Sequence, residues 1–441
     1  MKPHEYFYRT IDQELLVWSQ EEDRKPLLLR GARQVGKSSA VKQLAKSFKY
    51  FVEIDFDNQK HVHTFFEQSF SPQEICEQLS FVYRIPIIPG ETLLFFDEIQ
   101  SCLPALSKLR YFYEQYSELH LIAAGSLLEF AMEEIPSFGV GRIRSLFMFP
   151  FSFEEFLFAV GDGMLVDAYR NASPQKPLQE PIHQLLLNRL KTFMTIGGMP
   201  GVVAKYVSTQ NLLNSQKILN DITISLKSDF AKYKKQVPSL RINEVFESVA
   251  RQSEGKFVYE RAAVQASNAQ VKQALDLLVM AGLVYSVTHT AANGIPLGAE
   301  INLKFQRFIL FDTGLFQHVL DLDMAQIFFS DDFKTVNRGA LAEIFVGLEL
   351  MKGSSCYNPI SLYCWQREKR QGSAQVDFLI QKKEQILPIE VKAGTQGAMQ
   401  SLRLFMAEKN IERGIRTSLE NFAHYQNIDV YPMYAISNLL K

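Results

Sequence analysis

Apolar and polar positions in this chain follow two periods, and the change from one to the other marks out its elements. Short runs of apolar, β-rich residues recur through the first third: Pro26–Arg30, Tyr50–Phe56, Thr92–Phe96, Leu119–Ala124 and Ile143–Phe149. Stretches with helical spacing lie between them, Lys37–Phe48 among them. Buried strands alternating with helices predict an α/β class fold with a parallel sheet covered on both faces. An amphipathic helix is expected ahead of it, within residues 1–25, with Ile11, Leu15, Leu16 and Trp18 along one side.

After Phe151 the pattern turns helical, with a polar, proline-containing excursion over Gly161–Pro181 and a turn cluster at Gly197-Gly198-Met199-Pro200-Gly201. Residues 243–290 read as short helices, Ala269–Met280 among them, leading into a strand from Val284. With Glu300–Leu310 as a second strand, residues 243–320 have the order of a winged helix. A helix at 338–352 and strands at 361–365, 375–380 and 386–391 follow. The expected divisions are 1–155 for the α/β domain, 156–240 helical, 241–330 winged-helix-like and 331–441 for a further domain mixing a helix and strands. No repeat or low-complexity tract interrupts them.

Composition narrows the class. A chain of 441 residues with 47% hydrophobic and 22% charged residues buries a large core and is not disordered as a whole. With 47 Lys+Arg against 48 Asp+Glu there is no overall basic bias advertising nucleic acid. Four cysteines, at 76, 102, 356 and 364, form no Cys-x-x-Cys pair, which argues against a disulfide scaffold or zinc ribbon. The N-terminus lacks the apolar core of a signal peptide, and no apolar run is long enough for a membrane span. A cytoplasmic location and no membrane partner are expected.

The segment Gly31-Ala32-Arg33-Gln34-Val35-Gly36-Lys37-Ser38 fits the phosphate-binding pattern G-x-x-x-x-G-K-[ST], between a predicted strand and a predicted helix. Glycines let the backbone approach phosphate, and loop amides through Ser39 face the anion at a helix N-terminus. Lys37 is expected to reach the β- and γ-phosphates of ATP, and the Ser38 hydroxyl to ligate Mg²⁺. Leu93-Leu94-Phe95-Phe96 ends in Asp97 and Glu98. An acid at the C-terminal end of such a strand is placed to hold the magnesium shell, and the next acid, Glu98, to activate an attacking water. Ser126, after the strand Leu121–Ala124, is a weaker candidate for the γ-phosphate or water. Arg142 and Arg144 are candidate arginine fingers, with solvated loop arginines as the plainer reading.

Near the C-terminus, Asp377 lies in Gln375–Ile380, and Glu390 and Lys392 lie in Leu387–Lys392. Residues two apart on a strand share a face, so Glu390 and Lys392 project together, and a neighbouring strand can bring Asp377 alongside. Glu343, on the predicted helix, offers a third carboxylate. Carboxylates with a lysine are the donor set of metal-assisted phosphodiester cleavage. Lys232-Tyr233-Lys234-Lys235, with Lys227 and Arg241 nearby, is the best candidate for phosphate contacts with DNA; a solvated helix face explains it equally.

The strings G-A-R-Q-V-G-K-S, F-F-D-E-I-Q, A-G-S and G-R-I-R-S-L-F-M-F-P-F-S-F-E-E-F resemble the AAA-type ATPases of bacteria and archaea that are often joined to a C-terminal domain of unknown function. Gly197-Gly198-x-Pro200 is similar to that family's G-G-x-P turn. The resemblance implies an ASCE-type P-loop fold with the Walker-B strand beside the P-loop strand. G-A-L-A-E-I-F-V, L-Y-C-W-Q-R and Q-V-D-F-L-I…L-P-I-E-V-K-A-G look like the end of the same family's C-terminal domain, a region similar to the PD-(D/E)xK nuclease fold. The family more often has Glu where this chain has Gln375. ATP and Mg²⁺ are the expected ligands. DNA, acted on by a nuclease-like module, and another protein, bound by a nucleotide switch, are the alternative partners. The sequence leaves the oligomeric state open.

Overall fold

The computed structural model describes residues 6–135, 141–233, 237–322, 338–367, 374–394 and 399–440. They divide into two compact units: residues 1–150 with Cys356–Asn358, and the rest of the chain from Phe151. No helix among the described residues is long and apolar enough to cross a membrane.

The first unit is built on a parallel sheet of five strands: β1 (Leu27–Arg30), β2 (Tyr50–Asp55), β3 (Thr92–Asp97), β4 (His120–Ala124) and β5 (Arg144–Phe147). Their order is β2-β3-β4-β1-β5. The core residues Val52, Ile54, Leu94, Phe96, Leu121 and Ala123 face helices Pro72–Tyr83 and Leu103–Gln115 through Ile75, Leu79, Leu106 and Leu109. The helix Thr10–Gln20 buries Ile11, Leu15 and Trp18, while Leu16 is exposed. Three of the four expected residues therefore form its buried stripe.

The order corrects one expectation. The strand ending in Asp97 is not beside the P-loop strand. β4 lies between them, pairing Leu27 with Ile122 on one side and Leu93 with His120 on the other. All five β4 residues are buried, so it takes an interior place in the sheet. It ends in Ala124-Gly125, which adds little bulk between the tips of β1 and β3.

In the second unit, helices from Phe153–Ala159 onward lead to one mixed sheet of eight strands. These are β6 (Val284–Thr290), β7 (Ile301–Leu310), β8 (Leu362–Gln366), β9 (Gln375–Lys382), β10 (Gln385–Val391), β11 (Gly414–Ser418), β12 (Ala423–Tyr425) and β13 (Ile428–Pro432). Their order is β12-β13-β11-β10-β9-β8-β6-β7. The expected wing strands are present as the antiparallel pair β6–β7, but β6 also pairs in parallel with β8, Val287 opposite Leu362. That hairpin is thus part of the same sheet as the C-terminal strands. The helix Asn268–Met280 is capped by Ser267 and exposes Gln270, Lys272 and Gln273.

The G-G-x-P turn has a packing explanation. Buried Asp312 accepts the Gly198 N–H at 2.6 Å and the Leu315 N–H at 3.0 Å, capping helix Thr313–Val319. A Cβ on Gly198 would stand 2.3 Å from the Phe151 carbonyl oxygen, and one on Gly197 would stand 2.2 Å from an Asp312 oxygen. Only residues without a Cβ fit this approach.

Candidate functional site

The Gly31–Ser39 loop joins the C-terminal end of β1 to helix Lys37–Ala45. Gly36 takes φ +100° at the helix N-cap, and a Cβ on Gly31 would lie 2.1 Å from the Met148 carbonyl oxygen. Both conditions restrict these positions to glycine. Arg9, a buried residue ahead of the first helix, donates from Nη1 to the Val35 carbonyl at 3.0 Å and from Nη2 to the Phe149 carbonyl at 2.7 Å. It braces the loop from behind, a role no sequence motif announces.

Lys37 is buried, and its Nζ donates to the Gly31 and Ala32 carbonyls, each at 2.8 Å. Burial pushes its ammonium down to about 8, against the pull of Glu98 and Asp97. A cation so poorly solvated gains from an arriving anion. Ser38 Oγ donates to Asp97 Oδ2 at 2.7 Å, so these two side chains meet across the end of β4. Burial raises the Asp97 carboxyl above its ordinary value, and the Ser38 hydrogen bond opposes that rise. A hydroxyl and a carboxylate in contact, the hydroxyl on the residue next to a lysine at a helix N-terminus, fit a magnesium–phosphate group: Ser38 and Asp97 would hold the metal.

Glu98 follows with a left-handed backbone, φ +48°. Its carboxylate Oε2 accepts from Gln100 Nε2 at 2.5 Å and from Ser126 Oγ at 3.3 Å. Ser126 therefore contacts Glu98, where the sequence suggested phosphate or water. Gln100 is the residue the sequence reading lacks. A Cβ on Gly125 would lie 2.0 Å from Gln100 Oε1, so glycine there makes room for the amide. The arginine candidates have partners within their own unit: Arg144 with Glu21, Nη1 to Oε1 at 2.6 Å, and Arg142 with Glu114.

The C-terminal candidates also come together, in the second unit. The β9–β10 hairpin sets Phe378 opposite Ile389, so the next step in register places Asp377 opposite Glu390. Asp377 Oδ2 accepts the Val391 N–H at 2.8 Å, and Lys392 Nζ donates to Glu390 Oε1 at 2.7 Å. Glu343, on helix Arg338–Lys352, ion-pairs with Arg307 of β7. Arg307 Nη2 also donates to the Asp377 carbonyl at 2.5 Å. Burial drives the Glu343 carboxyl up to about 8, with Arg307 pulling it back. It drives Glu390 up to about 7, with Asp377 adding to the rise. Sequence reasoning missed Arg307; its signal is an arginine at the head of the apolar run Phe308–Phe311. Trp365 is buried and packs on Phe405, ring centroids 4.9 Å apart, as expected for a core residue. In the lysine cluster, 234 and 235 lie outside the described residues, as do the side chains at 232 and 233.

Comparison with known proteins bears on the fold of three stretches of the chain. Residues 23–157 match the family model of an AAA domain. Residues 187–326 and 338–436 match two domains of unknown function, DUF8612 and DUF4143. No curated protein matches the chain. Among solved structures, a Walker-type ATPase of Pyrococcus abyssi is similar at 16% identity and TM-score 0.45, over 72% of this chain and 96% of that one. The ORC1 protein of Aeropyrum pernix, in complex with DNA, aligns at 13% identity and TM-score 0.27, over 72% and 93% of the two chains. PCH-2 of C. elegans aligns at 13% identity and TM-score 0.27, over 49% and 70%. The loop at the tip of β1 and the match over residues 23–157 agree on an AAA-type P-loop domain at the start of this chain.

Proposed function

We propose that this chain binds ATP with magnesium at the Gly31–Ser39 loop, hydrolyses it, and uses nucleotide state to switch its interaction with another protein, the nuclease-like C-terminal region being catalytically inactive. The observation that carries the reading is the 2.7 Å contact of Ser38 with Asp97, with Glu98 tethered beside it. Loop amides and Lys37 bind the phosphates. A magnesium ion would be held there by Ser38 and Asp97 and would neutralise charge on the phosphate oxygens. Glu98 accepts the proton of the attacking water, and Gln100 and Ser126 fix the direction in which its carboxylate points.

Gln100 is accordingly a positioning residue. Gln100→Ala is expected to lower kcat about tenfold while KM for ATP stays within about twofold, because an unheld base loses orientation and not substrate contacts. Steady-state ATP turnover checks the split; a rise in KM at constant kcat would contradict it.

A second reading is an ATP-dependent nuclease acting on DNA. It is favoured by Asp377, Glu390 and Lys392 on adjoining strands with Glu343 nearby, a donor set similar to the PD-(D/E)xK fold. ATP turnover measured with and without DNA, beside a Mg²⁺- or Mn²⁺-dependent cleavage assay, separates the two. The switch reading expects turnover that DNA leaves unchanged and no cleavage. DNA-stimulated turnover with cleavage abolished by Asp377→Ala would establish the nuclease instead.

A further inference from the structure

The C-terminal carboxylates already have a cation among them. Arg307 is 2% exposed, with Nη1 against Glu343 and Nη2 on the Asp377 carbonyl. Its guanidinium carbon lies 5.5 Å from the centre of the Phe378 ring. Its Nε is buried with no hydrogen-bond partner, and so is Glu390 Oε2. Asp377 receives the Val391 amide and, at 3.4 Å, the Gln375 side-chain amide; Glu390 receives Lys392. Among the described residues, no group of three or more His, Cys, Asp or Glu side chains is arranged to hold a metal ion.

A divalent metal does not fit this arrangement. A guanidinium stays charged at any ordinary pH, and a buried one is tolerated only while paired. A dication entering beside Glu343 and Asp377 would meet Arg307 at a few ångströms, where like charges repel strongly in a poorly solvated interior. Arg307 would have to leave, yet it has little route to water. Two cations, buried Arg307 and partly exposed Lys392, pair with Glu343 and Glu390 beside Asp377. Most of the negative charge that would attract a metal is already offset.

We propose that Arg307 is the resident cation of this cluster, and that the C-terminal region takes up no divalent metal there and cleaves no phosphodiester. The inference deepens the reading of an inactive nuclease-like region and rests on that part of it, independently of ATP hydrolysis.

Mn²⁺ binding to the full chain without nucleotide, followed by electron paramagnetic resonance, tests it. The unsubstituted protein and Asp377→Asn should bind equal amounts of Mn²⁺. Arg307→Met should unfold at a lower temperature, because Glu343 loses its buried partner. An ion bound by the unsubstituted protein and lost in Asp377→Asn would overturn the proposal, as would an Arg307→Met whose melting temperature does not fall. ATP turnover on the same samples reads the switch separately: its absence would defeat the ATPase reading without altering any Mn²⁺ count.

Discussion

Glu98→Gln is expected to bind ATP as tightly as the unsubstituted protein and to hydrolyse it about 100- to 1000-fold more slowly, the usual contribution of a positioned general base. The substitution is narrow. The side-chain oxygen of Gln still accepts from Gln100 and Ser126, so the tether at Glu98 survives and only basicity is lost. Single-turnover hydrolysis beside equilibrium nucleotide binding measures both halves. An unchanged rate would take proton acceptance away from Glu98, and weakened binding would show that its charge matters to the ground state.

Lys37→Ala is expected to weaken ATP binding by about 100-fold, or about 2.7 kcal/mol, within the range for one partner of a buried charge-assisted contact. The fold should tolerate it. Among the described residues Lys37 donates to the Gly31 and Ala32 carbonyls, and burial already disfavours its charge against the pull of Glu98 and Asp97. Removing it deletes a buried cation that is poorly compensated, so thermal unfolding should shift little while binding collapses. Titration calorimetry with ATP·Mg²⁺ and a melting curve on one sample distinguish lost binding from lost structure. Undiminished affinity would remove the phosphate site from this loop.

How far sequence reaches differs between the two units. Strands buried on both faces are readable because their apolar runs end abruptly: Thr92–Phe96 is expected and Thr92–Asp97 is found. Lys37 and Ser38 are readable because phosphate binding fixes residue type and spacing together. The place of β4 is not, since the same five runs can be ordered in several ways and the choice rests on contacts far apart in sequence. Gln100 and Arg9 follow no spacing rule; each acts through one hydrogen-bond geometry that appears only after the chain has folded. β11 is buried throughout yet reads as Gly-Ile-Arg-Thr-Ser, and no apolar pattern marks it in the sequence. Arg307 was open to suspicion, because a charge at the head of the apolar run Phe308–Phe311 requires a partner, but the partner lies on another element.

The parallel pairing of β6 with β8 bears on how this polypeptide can be cut. Excising the last hundred or so residues at the natural-looking break near 330 would strip β8 of its neighbour and leave a bare row of amides and carbonyls along the sheet. Such a fragment would invite aggregation. Ribosomal synthesis meets the same constraint, because the hairpin emerges first and must wait, half-matched, for a strand about fifty residues downstream.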